Sequence, residues 1–145
     1  MSVQGLSRLE VWNRAKDLAL KVYQNVLPLL PSEEKWNLNS QIRRSSLRIS
    51  ANIAGGYGRY YYQENVHFCY IARGSLEETL SNLVFLFEAK YIPEALFKEL
   101  ATVADEIERM LNGYISYLKR SKQGANEPGS GQAINEISEP YLTEP

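Results

Sequence analysis

The sequence predicts an all-α fold, an antiparallel up-down-up-down four-helix bundle, and three observations carry that expectation. Apolar residues recur at spacings of three and four in four successive segments. No segment alternates with period two, as a half-buried strand would. The connections are short, which makes sequential helices antiparallel neighbours. The expected helices run over about 8–28, 36–55, 62–89 and 93–121, inside one bundle spanning 1–122. At 145 residues, 44% of them hydrophobic and 23% charged, the chain needs no second domain.

The first helix is expected to open at Ser7, because Glu10 follows three residues later in a capping-box pattern. Its buried stripe runs through Trp12, Ala15, Ala19, Val22, Tyr23, Val26 and Leu30, and Pro28 and Pro31 close it. The second carries Leu38, Ile42, Ser45, Ile49 and Ile53, with Ser46, Ser50, Ala51 and Ala54 small enough for close approach. Gly55, Gly56 and Gly58 follow, and glycine enters left-handed conformations cheaply, so the chain should turn there.

The third stripe is Val66, Tyr70, Ala72, Leu76, Leu80, Leu83 and Phe87. Gly74 within it costs roughly 1 kcal/mol of helix propensity against alanine, which points to tight interhelical packing at that position. Pro93 and Glu94 suit the first turn of the fourth helix. That helix buries Leu96, Leu100, Val103, Ile107, Met110 or Leu111, Tyr114 and Leu118, and ends at the basic Lys119, Arg120 and Lys122. Trp12, Trp36, Tyr91 and Phe97 are candidates either for an interface or for the core.

Charge is distributed unevenly. All 16 lysines and arginines lie at or before Lys122, whereas Glu127, Glu136, Glu139 and Glu144 lie beyond it, leaving 13 acids in the body. The body therefore carries +3 and the tail −4. Residues 123–145 bury too little apolar surface to offset chain entropy, so a disordered acidic tail is expected. That tail either solubilises the body or competes for its surface. Ile134, Ile137, Tyr141 and Leu142 give it the makings of a short docking motif.

The lone Cys69 cannot form an intramolecular disulfide, and the N-terminus has no targeting pattern, so a cytoplasmic location is expected. Apolar runs fall short of the ~20 residues of a membrane span, so no membrane partner is expected.

Residues that carry chemistry are scarce. The chain has one histidine, His67, on the third helix, where a packed or partly exposed role suits it better than a ligand or base. Cys69, two residues on, faces another side of the helix. Glu64 precedes His67 by three, but a di-metal bundle site needs a second Glu-x-x-His pair, which is missing. Gly55, Gly56 and Gly58 follow a helix and precede no Lys-Ser or Lys-Thr, so they make neither a Walker loop nor a dinucleotide fingerprint. No catalytic residue, metal site or cofactor is expected.

Between residues 43 and 73, Arg43, Arg44, Arg48, Arg59 and Arg73 are opposed in sequence only by Glu64, and Tyr57, Tyr60, Tyr61 and Tyr62 stand among them. Guanidinium groups bind phosphates bidentately and tyrosine rings stack on unpaired bases. The candidate nucleic-acid-binding residues are accordingly Arg43, Arg44, Arg48, Arg59, Arg73, Tyr60 and Tyr61. A second reading stays open: the arginines pair with Glu77, Glu78 and Glu88 of a neighbouring helix or subunit, and the tyrosines cover a bundle end.

Several segments resemble the four-helix-bundle proteins of the 23S ribosomal RNA intervening-sequence family. They are Leu9-Glu10-Val11-Trp12 with Ala15 and Leu18, Gln41-Ile42-Arg43-Arg44-Ser45-Ser46, and the run from Ile49-Ser50-Ala51-Asn52-Ile53-Ala54 through Gly55-Gly56-Tyr57-Gly58-Arg59. Tyr70-Ile71-Ala72-Arg73-Gly74-Ser75-Leu76-Glu77-Glu78 and Leu111-Asn112-Gly113 complete the set. The resemblance implies a bundle that assembles into a ring, a homopentamer, and it implies no enzyme. The family includes proteins encoded within ribosomal RNA insertions and the accessory variability proteins of diversity-generating retroelements, basic barrels that bind nucleic acid and a reverse transcriptase. This chain departs from the family's Asn-Ile-Ala-Glu-Gly pattern by placing Gly55 at the acidic position.

The expected function is a non-catalytic, homo-oligomeric accessory or scaffold that binds RNA or DNA, in the service of a reverse transcriptase on the retroelement branch. The alternative is a structural or protein-binding oligomer whose arginines form intersubunit salt bridges.

Overall fold

The computed structural model describes residues 3–122. The acidic segment 123–145, and with it the expected tail, lies outside the described residues. Among the described residues every regular element is a helix and none is a strand: α1 (Val3–Ser7), α2 (Glu10–Lys21), α3 (Leu38–Tyr57), α4 (Tyr62–Glu88) and α5 (Glu94–Ser121), with short turns of π and 3-10 helix between α2 and α3.

The four long helices surround one core. α2 packs on α3 and α5, and α4 packs on the same two helices from the other side. Leu18, Ile42, Ile49, Ile53, Leu76, Leu83, Leu100, Ile107, Leu111 and Tyr114 are fully buried between them. Each of these residues falls on the apolar stripe of its helix, so the stripes meet because burying them removes their apolar surface from water. Named contacts fix the registers. Arg14 and Lys21 of α2 pair with Glu106 and Glu99 of α5. Gly56 and Ser45 of α3 lie beside Phe68 and Thr79 of α4. Asn65 and Arg73 of α4 bond to Tyr114 and Asn112 of α5. In every pair, numbers rise on one helix as they fall on the other.

Three local expectations are corrected. The capping box does not form: Ser7 ends α1, its hydroxyl donates to the Gln4 carbonyl at 2.9 Å, and Leu9 is the N-cap of α2 without a side-chain bond. Leu9 is fully buried in an extended conformation (φ −83°, ψ 108°), and burying its side chain is worth more than the roughly 1 kcal/mol of a cap. Asn13 fastens the junction instead, donating to the Ser7 carbonyl at 2.6 Å. Further along, α2 does not run on to Pro28. It widens into a π-turn over Val22–Val26 and a 3-10 turn over Leu27–Leu29, because proline has no N–H to give and its ring crowds the carbonyl four residues back.

The glycines are the third correction. α3 passes straight through Gly55 and Gly56, and Gly58, the C-cap, has a right-handed φ of −77°. Their use is close approach. A Cβ on Gly56 would stand 2.6 Å from Asn65 Oδ1 and 2.9 Å from Phe68 Cβ, and one on Gly55 would meet the Phe68 ring at 3.1 Å. Gly74, where tight packing was expected, has nothing within 4 Å of its missing Cβ. The α3–α4 seam stays narrow along its length through small buried residues: Ser45, Ser46, Ser50, Ser75 and Thr79. There Thr79 Oγ1 lies 2.9 Å from Ser45 Oγ and 2.8 Å from the Ser75 carbonyl, so burial leaves neither hydroxyl without a partner.

α4 ends in a Schellman turn. The amides of Lys90 and Tyr91 bond back to the Phe87 and Leu86 carbonyls, each at 2.9 Å, and Lys90 takes the left-handed φ of 66° that glycine usually fills. Phe87 and Phe97 stack across this turn, with ring centroids 4.7 Å apart. Of the aromatic residues left open between core and surface, Trp12, Tyr91 and Phe97 pack half-buried on the core, whereas Trp36 is 82% exposed.

Candidate nucleic-acid interface

The seven residues selected from the sequence fall in three places. Arg43, Arg44 and Arg48 lie on the outward side of α3, because Ile42, Ser45, Ser46 and Ile49 take the inward one. Arg44 donates to Ser40 Oγ at 2.9 Å. None of the three makes an ion pair among the described residues, and in particular none reaches Glu77, Glu78 or Glu88. Beside them Leu47 is 47% exposed and borders a shallow, mostly apolar groove of about 260 Å³, completed by Ser50 and by Lys16, Ala19, Leu20 and Tyr23 from the α2 side.

Arg59, Tyr60 and Tyr61 belong to the α3–α4 turn, roughly 20 Å further along the α3 axis at ~1.5 Å per residue. Arg59 pairs with Glu64 at 3.8 Å and sits over the Phe68 ring, 5.1 Å from its centroid. That ring is the one Gly55 makes room for, so the glycine and the arginine are linked through Phe68. Tyr60 and Tyr61 meet edge to face at 5.3 Å and are half-buried. Arg73 turns to the opposite flank of α4. It donates to Asn112 Oδ1 at 2.8 Å and lies over the Tyr70 ring at 5.0 Å.

Around Tyr70 the structure assembles groups that the sequence reading left out of the candidate set. Tyr62, Val66 and Tyr70 stand four residues apart on α4 and form one wall of an open cleft of about 400 Å³. Gln63 and His67 form its rim, and Lys119 and Lys122 at the end of α5 close the far side. Lys119 also lies over the Tyr70 ring, at 5.3 Å. The i, i+4, i+8 spacing of this wall was visible in the sequence. The neighbouring lysines were not, because they arrive only through the antiparallel pairing of α4 with α5.

Two of the shifted titratable groups, Cys69 and Tyr114, are buried under this surface, and one, Glu77, is exposed. Burial pushes the Cys69 thiol up to about 12, outweighing the nearby Arg73, so it is held as a neutral thiol. Burial likewise raises the Tyr114 phenol. Tyr114 Oη accepts from Asn65 Nδ2 at 3.2 Å, and the Cys69 thiol donates to Asn65 Oδ1 at 3.7 Å, so the three form one neutral network between α4 and α5. Glu77 on α4 is raised because it shares a hydrogen bond with Glu108 of α5, with desolvation adding to the effect and Arg73 opposing it. Among the described residues no three metal-ligating side chains come together, and no helix is long and apolar enough to cross a membrane.

Cations over rings in one place and an open row of arginines in another both suit a polyanion whose planar bases can stack. Comparison with protein-family models matches residues 7–113 to the 23S rRNA-intervening sequence proteins. Comparison with curated proteins gives no match. Among solved structures, the chain is similar to the crystal structure of a protein with unknown function from the S23 ribosomal protein family of Bacteroides thetaiotaomicron VPI-5482. The TM-score is 0.67 at 24% identity, covering 72% of this chain and 97% of the other, a likeness of fold.

Proposed function

The chain belongs to the 23S rRNA-intervening sequence protein family, and on that premise we propose that it is a non-catalytic, cytoplasmic, homo-oligomeric bundle that binds RNA or DNA as an accessory or scaffold. The observation that carries this reading is the row Arg43, Arg44 and Arg48, exposed on α3 and without an ion pair among the described residues. Exposed guanidinium groups that no carboxylate neutralises bind phosphates bidentately and release condensed counterions on doing so. The opposed registers of the helix pairs support an up-down-up-down bundle, and the resemblance supports a pentameric ring and, on its retroelement branch, a reverse transcriptase as protein partner.

Filter binding tests the reading. A labelled single strand should be retained at low salt, and Arg43→Glu with Arg44→Glu should weaken retention and flatten the salt dependence by about 1.4, at ~0.7 for each phosphate on a single strand that is no longer neutralised. A wild-type chain that retains neither RNA nor DNA at low salt defeats it.

A second reading is favoured by one observation: exposed Leu47 and its apolar groove lie on the same side of the bundle as the arginine row, as an interface between copies would. In that reading the arginines form intersubunit salt bridges. The same double substitution then lowers the mass seen by light scattering, and added RNA never shifts it.

A further inference from the structure

We propose that the cleft between Tyr62, Val66 and Tyr70 of α4 and Lys119 and Lys122 at the end of α5 is a subsite for one unpaired nucleotide of a bound strand. The inference rests on the nucleic-acid reading above and specifies where a base goes. The cleft's volume of about 400 Å³ falls in the ~300–1,000 Å³ range of small-ligand sites, and its openness to solvent suits a base entering with its strand still attached.

Its chemistry is divided as a nucleotide's is. Tyr62, Val66 and Tyr70 offer two rings and an aliphatic surface to a planar base, and Gln63 at the rim carries both an amide donor and an acceptor for a base edge. Lys119 and Lys122 place two ammonium groups on the far wall, where the backbone phosphates of such a base would run. The Tyr70 ring already carries Arg73 at 5.0 Å and Lys119 at 5.3 Å. A base that stacks on Tyr70 therefore takes the place of one of these two flexible side chains, whose charge then stays beside the ring to meet the phosphate. No carboxylate lines the cleft to repel phosphate. A duplex keeps its bases stacked inside and gains nothing from the rings, so the site discriminates single strands from double.

Fluorescence anisotropy on the full chain tests this with a labelled uridine oligonucleotide, a duplex of the same length, and adenosine monophosphate as competitor. Tyr70→Ala should weaken single-strand binding roughly tenfold, leave duplex binding unchanged, and keep its helical circular dichroism. Tyr70→Phe, which keeps the ring, should bind as the wild type does. Lys119→Gln with Lys122→Gln should lower the slope of log affinity against log salt by about 1.4 on the single strand. The subsite is overturned if Tyr70→Ala binds the single strand like the wild type or loses strand and duplex equally. It is also overturned if Tyr70→Phe loses as much as Tyr70→Ala, or if the free mononucleotide displaces the strand at matching concentration. Failure of the subsite alone is recognisable: the wild type binds, Arg43→Glu with Arg44→Glu weakens it, and the Tyr70 and lysine variants do not. A wild type that binds no strand removes both proposals together.

Discussion

The outward face of α3 and the rings of α4 carry basic side chains in opposite surroundings. On α3, Arg43, Arg44 and Arg48 extend from an exposed helix face and bond at most to a local hydroxyl. At the α3–α4 turn and on the opposite flank of α4, Arg59 and Arg73 are held over Phe68 and Tyr70, and Lys119 joins from α5. The difference comes from what lies beneath. Under the α3 row the seam is made of serines that bring helices together and leave no ring for a cation to cover. At the turn, Gly55 and Gly56 let Phe68 and Asn65 press against the α3 backbone, and aromatic rings reach the surface. A bare helix face presents charge, whereas a ring beneath it positions it.

The strongest way to break this contrast is Gly56→Ala. The added methyl would meet Asn65 Oδ1 at 2.6 Å and Phe68 Cβ at 2.9 Å, so the turn end must shift while the α3 row stays put. A loss of about 1–3 kcal/mol in urea unfolding is expected. Gly74→Ala is the control on the same pair of helices. With nothing within 4 Å, it should stabilise by about 1 kcal/mol through helix propensity alone. A destabilised Gly74→Ala would mean that a copy of the chain or another partner covers that face.

Arg43→Glu with Arg44→Glu sharpens the comparison from the other side. Because these arginines support no ion pair among the described residues, the unfolding free energy should stay within about 0.5 kcal/mol while strand affinity falls. The smallest expected effect is that of Glu77→Gln, beside Arg73. The Glu77 carboxyl titrates above its ordinary 4.5 in the folded chain, chiefly through the bond to Glu108, so the folded state holds that proton to higher pH than the unfolded state does. The contribution is favourable below 4.5 and is lost as pH rises through the folded value. Glu77→Gln should therefore stabilise by about a few tenths of a kcal/mol at neutral pH, given the exposure of the pair, and the gain should vanish in acid.

Helical class and family were legible in the sequence because both depend on local spacing. Ile42, Ile49 and Ile53, or Leu100, Ile107 and Leu111, face one way on any helix, and their burial follows. The family match over 7–113 contains the quoted segments up to Gly113. The helix ends were less legible. Ser7 and Glu10 satisfy the capping pattern, yet the burial of Leu9, a long-range effect, sets the start of α2. The seven candidate residues read as one cluster in sequence, but α3 spends about 20 Å of axis between Arg43 and the turn, and Arg73 faces α5.

By itself, then, the sequence determined which residues are apolar at helical period, which charges are unopposed locally, and which family the motifs belong to. Only the tertiary structure decided which glycine packs, since Gly56 and Gly74 are alike until Asn65 and Phe68 come to stand against one of them. It also decided that Lys119 and Lys122 join Tyr62 and Tyr70. The physical reason is the same in both cases. Propensity and periodicity act over one or two turns of chain, whereas a seam or a cleft is made by side chains from two helices, and its register is fixed by everything else the core must bury.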